Sequence, residues 1–130
     1  MKLHHLALTI QSASEAAQFY EQLLGFKLIR EFKLDSELAF KLFNIPKAVQ
    51  VFYLEGQGLS LELFIDETSK QNNYNHWCLS FPNREEFIKK AKEQNAQIIR
   101  IPRGTYDLIF IKDNSGNTFE IKEEYNSANG

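Results

Sequence analysis

Residues 3–25 read LHHLALTIQSASEAAQFYEQLLG, and residues 74–95 read YNHWCLSFPNREEFIKKAKEQN. Each stretch begins with alternating residues that predict a β-strand and then changes to helical spacing. In the first, Ser12 and Glu15 have capping-box spacing. Ala16, Phe19, Tyr20, Leu23 and Leu24 form the apolar stripe, and Gly25 suits the position after the helix. In the second, Asn83 and Glu86 repeat the capping spacing, and Phe87, Ile88 and Ala91 supply a shorter stripe. From His5 to Ser12 is seven residues, and from His76 to Asn83 is also seven. The two stretches read as copies of one β-α unit.

Three strand candidates follow each unit. In the first half they are FKLIREFKL (26–34), AVQVFYL (48–54) and LSLELFI (59–65). In the second they are AQIIRIP (96–102), YDLIFIK (106–112) and NTFEIKE (117–123). The intervening EGQG and DNSGN are rich in turn residues. The first half also carries an insertion, DSELAFKLFNIPK (35–47), that predicts a short helix ending before Pro46. Its thirteen residues account for the difference between the 57 positions from His5 to Glu62 and the 44 from His76 to Glu120. The chain is thus expected to be an α+β protein of two βαβββ modules, 1–67 and 73–124, within one domain spanning 1–125. A loose tail is expected at 126–130.

Strand parity separates the neighbouring histidines. His4, Leu6, Leu8 and Ile10 share a face expected to pack under the helix, while Leu3, His5, Ala7 and Thr9 share the other. His76 falls on the corresponding face of its strand, with Cys78 and Ser80. Glu62 and Glu120 fall on the non-helix faces of the last strand of each module. Two imidazoles and two carboxylates of one parity, at matched repeat positions, suit a divalent ion: Zn, Ni, Co, Mn or Fe(II). By the same parity reading Phe52, Phe64 and Phe110 are candidates to line a substrate cleft, set against ordinary packing. Arg30 and Arg103 are read as solvated side chains in preference to anion contacts. Cys78 is read as a small filler.

Bulk properties narrow the function. The 130 residues suit one domain, and 43% hydrophobic with 25% charged residues is ordinary for a globular protein. A formal net charge of -2 gives no electrostatic footprint for nucleic acid or a membrane surface. No apolar run approaches membrane-spanning length. A single cysteine allows no internal disulfide, and a cytoplasmic location is expected.

The sequence resembles the vicinal oxygen chelate (glyoxalase/bleomycin-resistance/dioxygenase) superfamily. The resemblance rests on the first βα unit with its Phe-Tyr pair and Leu-Gly-Phe, on LSLELF (59–64), on NHWCLSF (75–81), and on DNSGNTFEI (113–121). In the last, Asn114 and Ser115 replace a proline and an aspartate of the usual ending. The resemblance implies two modules curling into an open, metal-centred half-barrel. It places the ligands at His5, Glu62, His76 and Glu120, and implies a homodimer with a small-molecule substrate. His4 has the wrong parity for a ligand and is expected to pack or to sit at an edge.

The implied activity is that of a glyoxalase-like lyase or isomerase, either lactoylglutathione lyase-like or epimerase-like. A glutamate would remove a proton beside a substrate oxygen held by the metal and then return it, with Glu120 favoured over Glu62 as the base. One alternative is a non-catalytic module that sequesters a small molecule on the same fold. An Fe(II) dioxygenase is a third reading. In glyoxalase I enzymes an arginine stands four residues after the first metal histidine and an asparagine four after the first metal glutamate, where both help to hold glutathione. Here those places are Thr9 and Asp66, which speaks against a glutathione substrate.

Overall fold

The computed structural model describes residues 1–70 and 72–124. The chain divides into two compact units, Met1–Lys70 and Gln71–Gly130. The tail expected at 126–130 lies outside the described residues.

The first unit contains β1 (Leu6–Ile10), α1 (Ala13–Glu15, continued by π-helical turns over Ala16–Leu23), β2 (Lys27–Leu34), α2 (Ser36–Phe43), β3 (Val49–Gly56) and β4 (Leu59–Ile65). The second contains β5 (His76–Phe81), α3 (Arg84–Glu93), β6 (Gln97–Arg103), β7 (Tyr106–Lys112) and β8 (Thr118–Glu123). The sheets have the orders β1-β4-β3-β2 and β5-β8-β7-β6. In each, the first strand runs parallel to the last and the other pairings are antiparallel. Both sheets are therefore mixed, and the α+β repeat is present in full. α2 is the extra element of the first unit.

Capping fixes the helix starts. The Ser12 hydroxyl accepts from the Glu15 backbone N–H at 3.3 Å, and the Asn83 side chain accepts from that of Glu86 at 3.1 Å. The reciprocal contact differs from an ordinary capping box. The Glu15 carboxylate accepts from the Gln11 N–H at 3.3 Å. The first helix also widens, with Leu24 N–H donating to Phe19 C=O at 2.9 Å, five residues back. The smaller angular step between neighbours in this wider helix suits the adjacent pairs Phe19–Tyr20 and Leu23–Leu24, all buried. Gly25 then turns the chain with φ of +84°.

α2 is delimited at both ends. Asp35 accepts from the Leu38 N–H at 2.8 Å, and Asn44 closes the helix in the left-handed region at φ 60°. Asp35→Ala is expected to cost about 1 kcal/mol of stability, read as a lower urea midpoint at unchanged slope.

Sheet register fixes which residues share a face. Leu61 and Leu63 are buried, as are Phe119 and Ile121. In the second unit Phe81 stacks on Phe87 of α3, ring centroids 4.0 Å apart. The Trp77–Leu79–Phe81 face therefore looks toward the helix, and His76, Cys78 and Ser80 look away.

Candidate functional site

Each unit sets one histidine and one glutamate by the same rule. Ala7 pairs with Glu62 and Cys78 pairs with Glu120. In both units the histidine stands two residues before the strand residue that faces the glutamate. Alternation puts His76 and Glu120 on one sheet face of the second unit, and in the first unit, where His5 precedes β1, the contact between the two side chains brings His5 to Glu62.

In the first unit His5 Nε2 lies 3.3 Å from Glu62 Oε1. The glutamate is mostly shielded, with 16% side-chain exposure against 38% for the histidine. Two ligands bonded to one ion at about 2.0–2.2 Å, at tetrahedral to octahedral angles, stand about 3.0–3.4 Å apart. This pair already has that separation. His4 was expected to pack beneath the helix or to sit at an edge. It is exposed, it precedes β1, and its Nδ1 lies 2.8 Å from His5 Nδ1. Pairing to β4 begins only at Leu6, so strand alternation does not govern His4. With His5 donating from Nδ1 to His4, the His5 Nε2 lone pair is free for a metal. The sequence reading missed this contact, and the adjacency of the two histidines was the signal for it.

In the second unit His76 Nδ1 lies 2.9 Å from the Tyr74 carbonyl oxygen. Donation to that carbonyl leaves the His76 Nε2 lone pair available in the same way. The His76 ring also lies 5.7 Å from Phe110, centroid to centroid. Glu120 Oε2 accepts from the Cys78 thiol at 3.3 Å and lies 3.8 Å from Lys122 Nζ. Burial, followed by the Glu120 hydrogen bond, pushes the Cys78 thiol above its ordinary range. It therefore serves as a protonated donor to the carboxylate.

The three phenylalanines divide. Phe64 pairs with Val51 and Thr9, on the Glu62 face, and Phe110 pairs with Glu120 directly. Phe52 is a correction: it pairs with Leu63 and is buried on the opposite, helix-side face. The residue beside Glu62 on β3 is Tyr53, whose ring carries the Arg30 guanidinium 4.5 Å above its centroid. A register error of one position concealed Tyr53 in the sequence.

Thr9 and Asp66 line a cavity of about 290 Å³ within the first unit. The Asp66 carboxylate accepts from the Thr68 hydroxyl at 2.8 Å and from its backbone N–H at 3.0 Å. These bonds, the hydroxyl's first, hold the Asp66 carboxyl below its ordinary range, so it is ionised at neutral pH.

Among the described residues no group of three or more His, Cys, Asp or Glu gathers as a metal cluster, and each unit offers a pair. No described helix is long and apolar enough to cross a membrane.

A fold of two βαβββ repeats, each with a histidine and a glutamate at matched register positions, defines the class of protein to which the chain is compared. The profile of the Glyoxalase/Bleomycin resistance protein/Dioxygenase superfamily matches residues 2–121, and the chain belongs to this superfamily. It is 26% identical over 139 aligned positions to the lactoylglutathione lyase of Escherichia coli O157:H7, covering 100% of this chain and 98% of that protein. Its fold is similar to that of a glyoxalase family protein from Enterococcus faecalis. There the TM-score is 0.71 at 22% identity, covering 92% of this chain and 95% of that one. It is similar as well to a variant of the fosfomycin resistance protein FosX from Listeria monocytogenes, complexed with Mn(II) and 1S,2S-dihydroxypropylphosphonic acid. That match has a TM-score of 0.71 at 15% identity, covering 98% of this chain and 96% of that one.

Proposed function

We propose that the chain is a metal-dependent lyase or isomerase that removes a proton from carbon beside a carbonyl of a small substrate and returns it to the same or the neighbouring carbon. The observation that carries this reading is the matched register, with Ala7 opposite Glu62, Cys78 opposite Glu120 and a histidine two residues earlier in each case. His5, Glu62, His76 and Glu120 would hold the ion, one per chain. Neutral imidazole and carboxylate suit Ni, Zn, Co, Mn or Fe. The Mn(II) of the Listeria FosX complex supports a divalent ion. When bound, the ion supplies a Lewis acid that draws electron density from a substrate oxygen.

Glu120 takes the role of base. Glu62 stands at ligand separation from His5 Nε2, whereas Glu120 accepts from the Cys78 thiol and lies 3.8 Å from Lys122 Nζ, contacts outside the ligand set that hold it as a proton-accepting carboxylate. Glu120 accepts the carbon-bound proton and gives it back, so the net reaction needs no redox partner. Phe110 is the cross-strand partner of Glu120, and its ring lies beside that of His76.

The test is a titration of chelator-stripped protein with Mn²⁺ and Ni²⁺, followed by NMR of small 2-oxo compounds and thioesters in D₂O. Ion uptake with deuterium entering beside the carbonyl supports the reading, and Glu120→Gln should lose the exchange. Protein that takes up no ion would instead be a non-catalytic binding module.

The chain is further proposed to work as a symmetric homodimer. In support, Leu38 and Leu42, one turn apart on α2, are 42% and 59% exposed, an apolar strip of the kind an interface covers. Light scattering is expected to report a particle of two 15.1 kDa chains. A monomer with full ion uptake would refute this.

A further inference from the structure

We infer that the cavity roofed by α2 is a subsite for a neutral aromatic group of the substrate, set beside the His5–Glu62 pair. The inference rests on the proposed chemistry only for what is attached to that group. The cavity itself belongs to the first unit alone.

Three observations point to this occupant. The first is continuity. The floor follows β1 and β4, with Ala7 at one end and the Thr9–Phe64 pair further along. Ala7 faces Glu62 across the strands, so the cavity begins one position from the proposed ligand. The next same-face row lies about 7 Å away, at 3.3 Å of rise per residue. The second is size. About 290 Å³ is roughly twice the volume of an apolar cavity known to hold benzene. It accommodates a substituted or bicyclic ring.

The third is wall chemistry. Ala39, Phe43, Ala48 and Phe64 line it, and the Phe43 and Phe64 rings meet edge to face at 5.6 Å. That corner offers a third ring both a face and an edge. Two charged residues stand at the wall, Lys47 and Asp66, and the Asp66 carboxylate is tied to Thr68. The ionised Asp66 places a negative charge at the wall, which disfavours an anionic tail. The insertion 35–47 therefore builds specificity into this chain: a carbonyl or hydroxyl head at Glu62, and an aromatic body about 7 Å along the sheet.

Two measurements separate this inference from the catalytic proposal. Indole, which has no chelating group, should bind the metal-free protein in a titration followed by ligand-observed NMR. Ala48→Phe, which fills the cavity, and Phe43→Ala, which removes half of its aromatic corner, should each weaken that binding at least tenfold while circular dichroism stays unchanged. On Mn²⁺-loaded protein, 2-oxo-4-phenylbutanoate should bind ten to a hundred times more tightly than 2-oxobutanoate, and Ala48→Phe should erase the difference. Indole that does not bind, or that binds both folded variants as well as the parent, overturns the subsite. Indole binding lost in the variants supports the subsite even where no substrate is turned over, and in that case the catalytic reading alone fails.

Discussion

Alanine at His5 or at His76 is expected to weaken divalent-ion binding by more than about a hundredfold, because loss of a direct ligand should exceed the 10–100-fold cost of losing a supporting contact. His5 Nε2 already stands at ligand separation from Glu62, and His76 is oriented by the Tyr74 carbonyl with its Nε2 lone pair free. His4→Ala should cost about tenfold, since His4 touches only the far nitrogen of His5. Isothermal titration of the three variants ranks them. A parallel comparison isolates parity. Ile121→Ala, one residue from Glu120 but buried, should cost about 2–5 kcal/mol of stability and leave ion affinity near that of the parent. Glu120→Ala should do the reverse. Equal losses of affinity at His4, His5 and His76 would refute the assignment of ligands by strand face.

The repeat was legible because it is written in features that depend on local chemistry. Caps at Ser12 and Asn83, the turn at Gly25, the full extents of LSLELFI and YDLIFIK, and the helix between Asp35 and Pro46 all follow from side-chain periodicity and backbone preference. What was misread depends on pairing. Phe52 was placed on the cleft face because AVQVFYL alternates ambiguously, with apolar residues at 51 through 54, all buried. Only its register against Leu63 resolves the face, and it hands the position beside Glu62 to Tyr53. His4 and His5 both precede the point where pairing begins, so His4 takes the edge place that its parity allowed, and the contact with Glu62, not the ladder, locates His5. The widened turns of the first helix leave no distinct mark in the sequence. The cavity under α2 could not be read either. The insertion is visible as thirteen residues, but the direction in which its helix folds over β1 and β4 is a tertiary outcome.

Turnover of the methylglyoxal–glutathione hemithioacetal is expected to be lower than that of a glutathione-adapted relative by about two to four orders of magnitude in kcat/KM. A guanidinium gripping a carboxylate makes charge-assisted bonds worth about 1.5–3 kcal/mol each, and two such contacts convert to that range of rate. Both family positions for them are replaced here, by Thr9 and Asp66, and both residues line the α2 cavity. Thr9 brings no charge. Asp66 brings the wrong one, and its bonds to Thr68 lower its pKa, so that it stays ionised throughout the neutral range. A glutathione carboxylate placed there would meet a fixed negative group in surroundings walled by Phe43 and Phe64. Restoring the missing contacts should therefore recover activity: Thr9→Arg with Asp66→Asn is expected to raise hemithioacetal kcat/KM at least tenfold in Ni²⁺- or Zn²⁺-loaded protein, mostly through KM. The steady-state assay on parent and double variant decides the matter. Efficient turnover by the parent would mean that other residues hold glutathione and that the cavity does not set specificity.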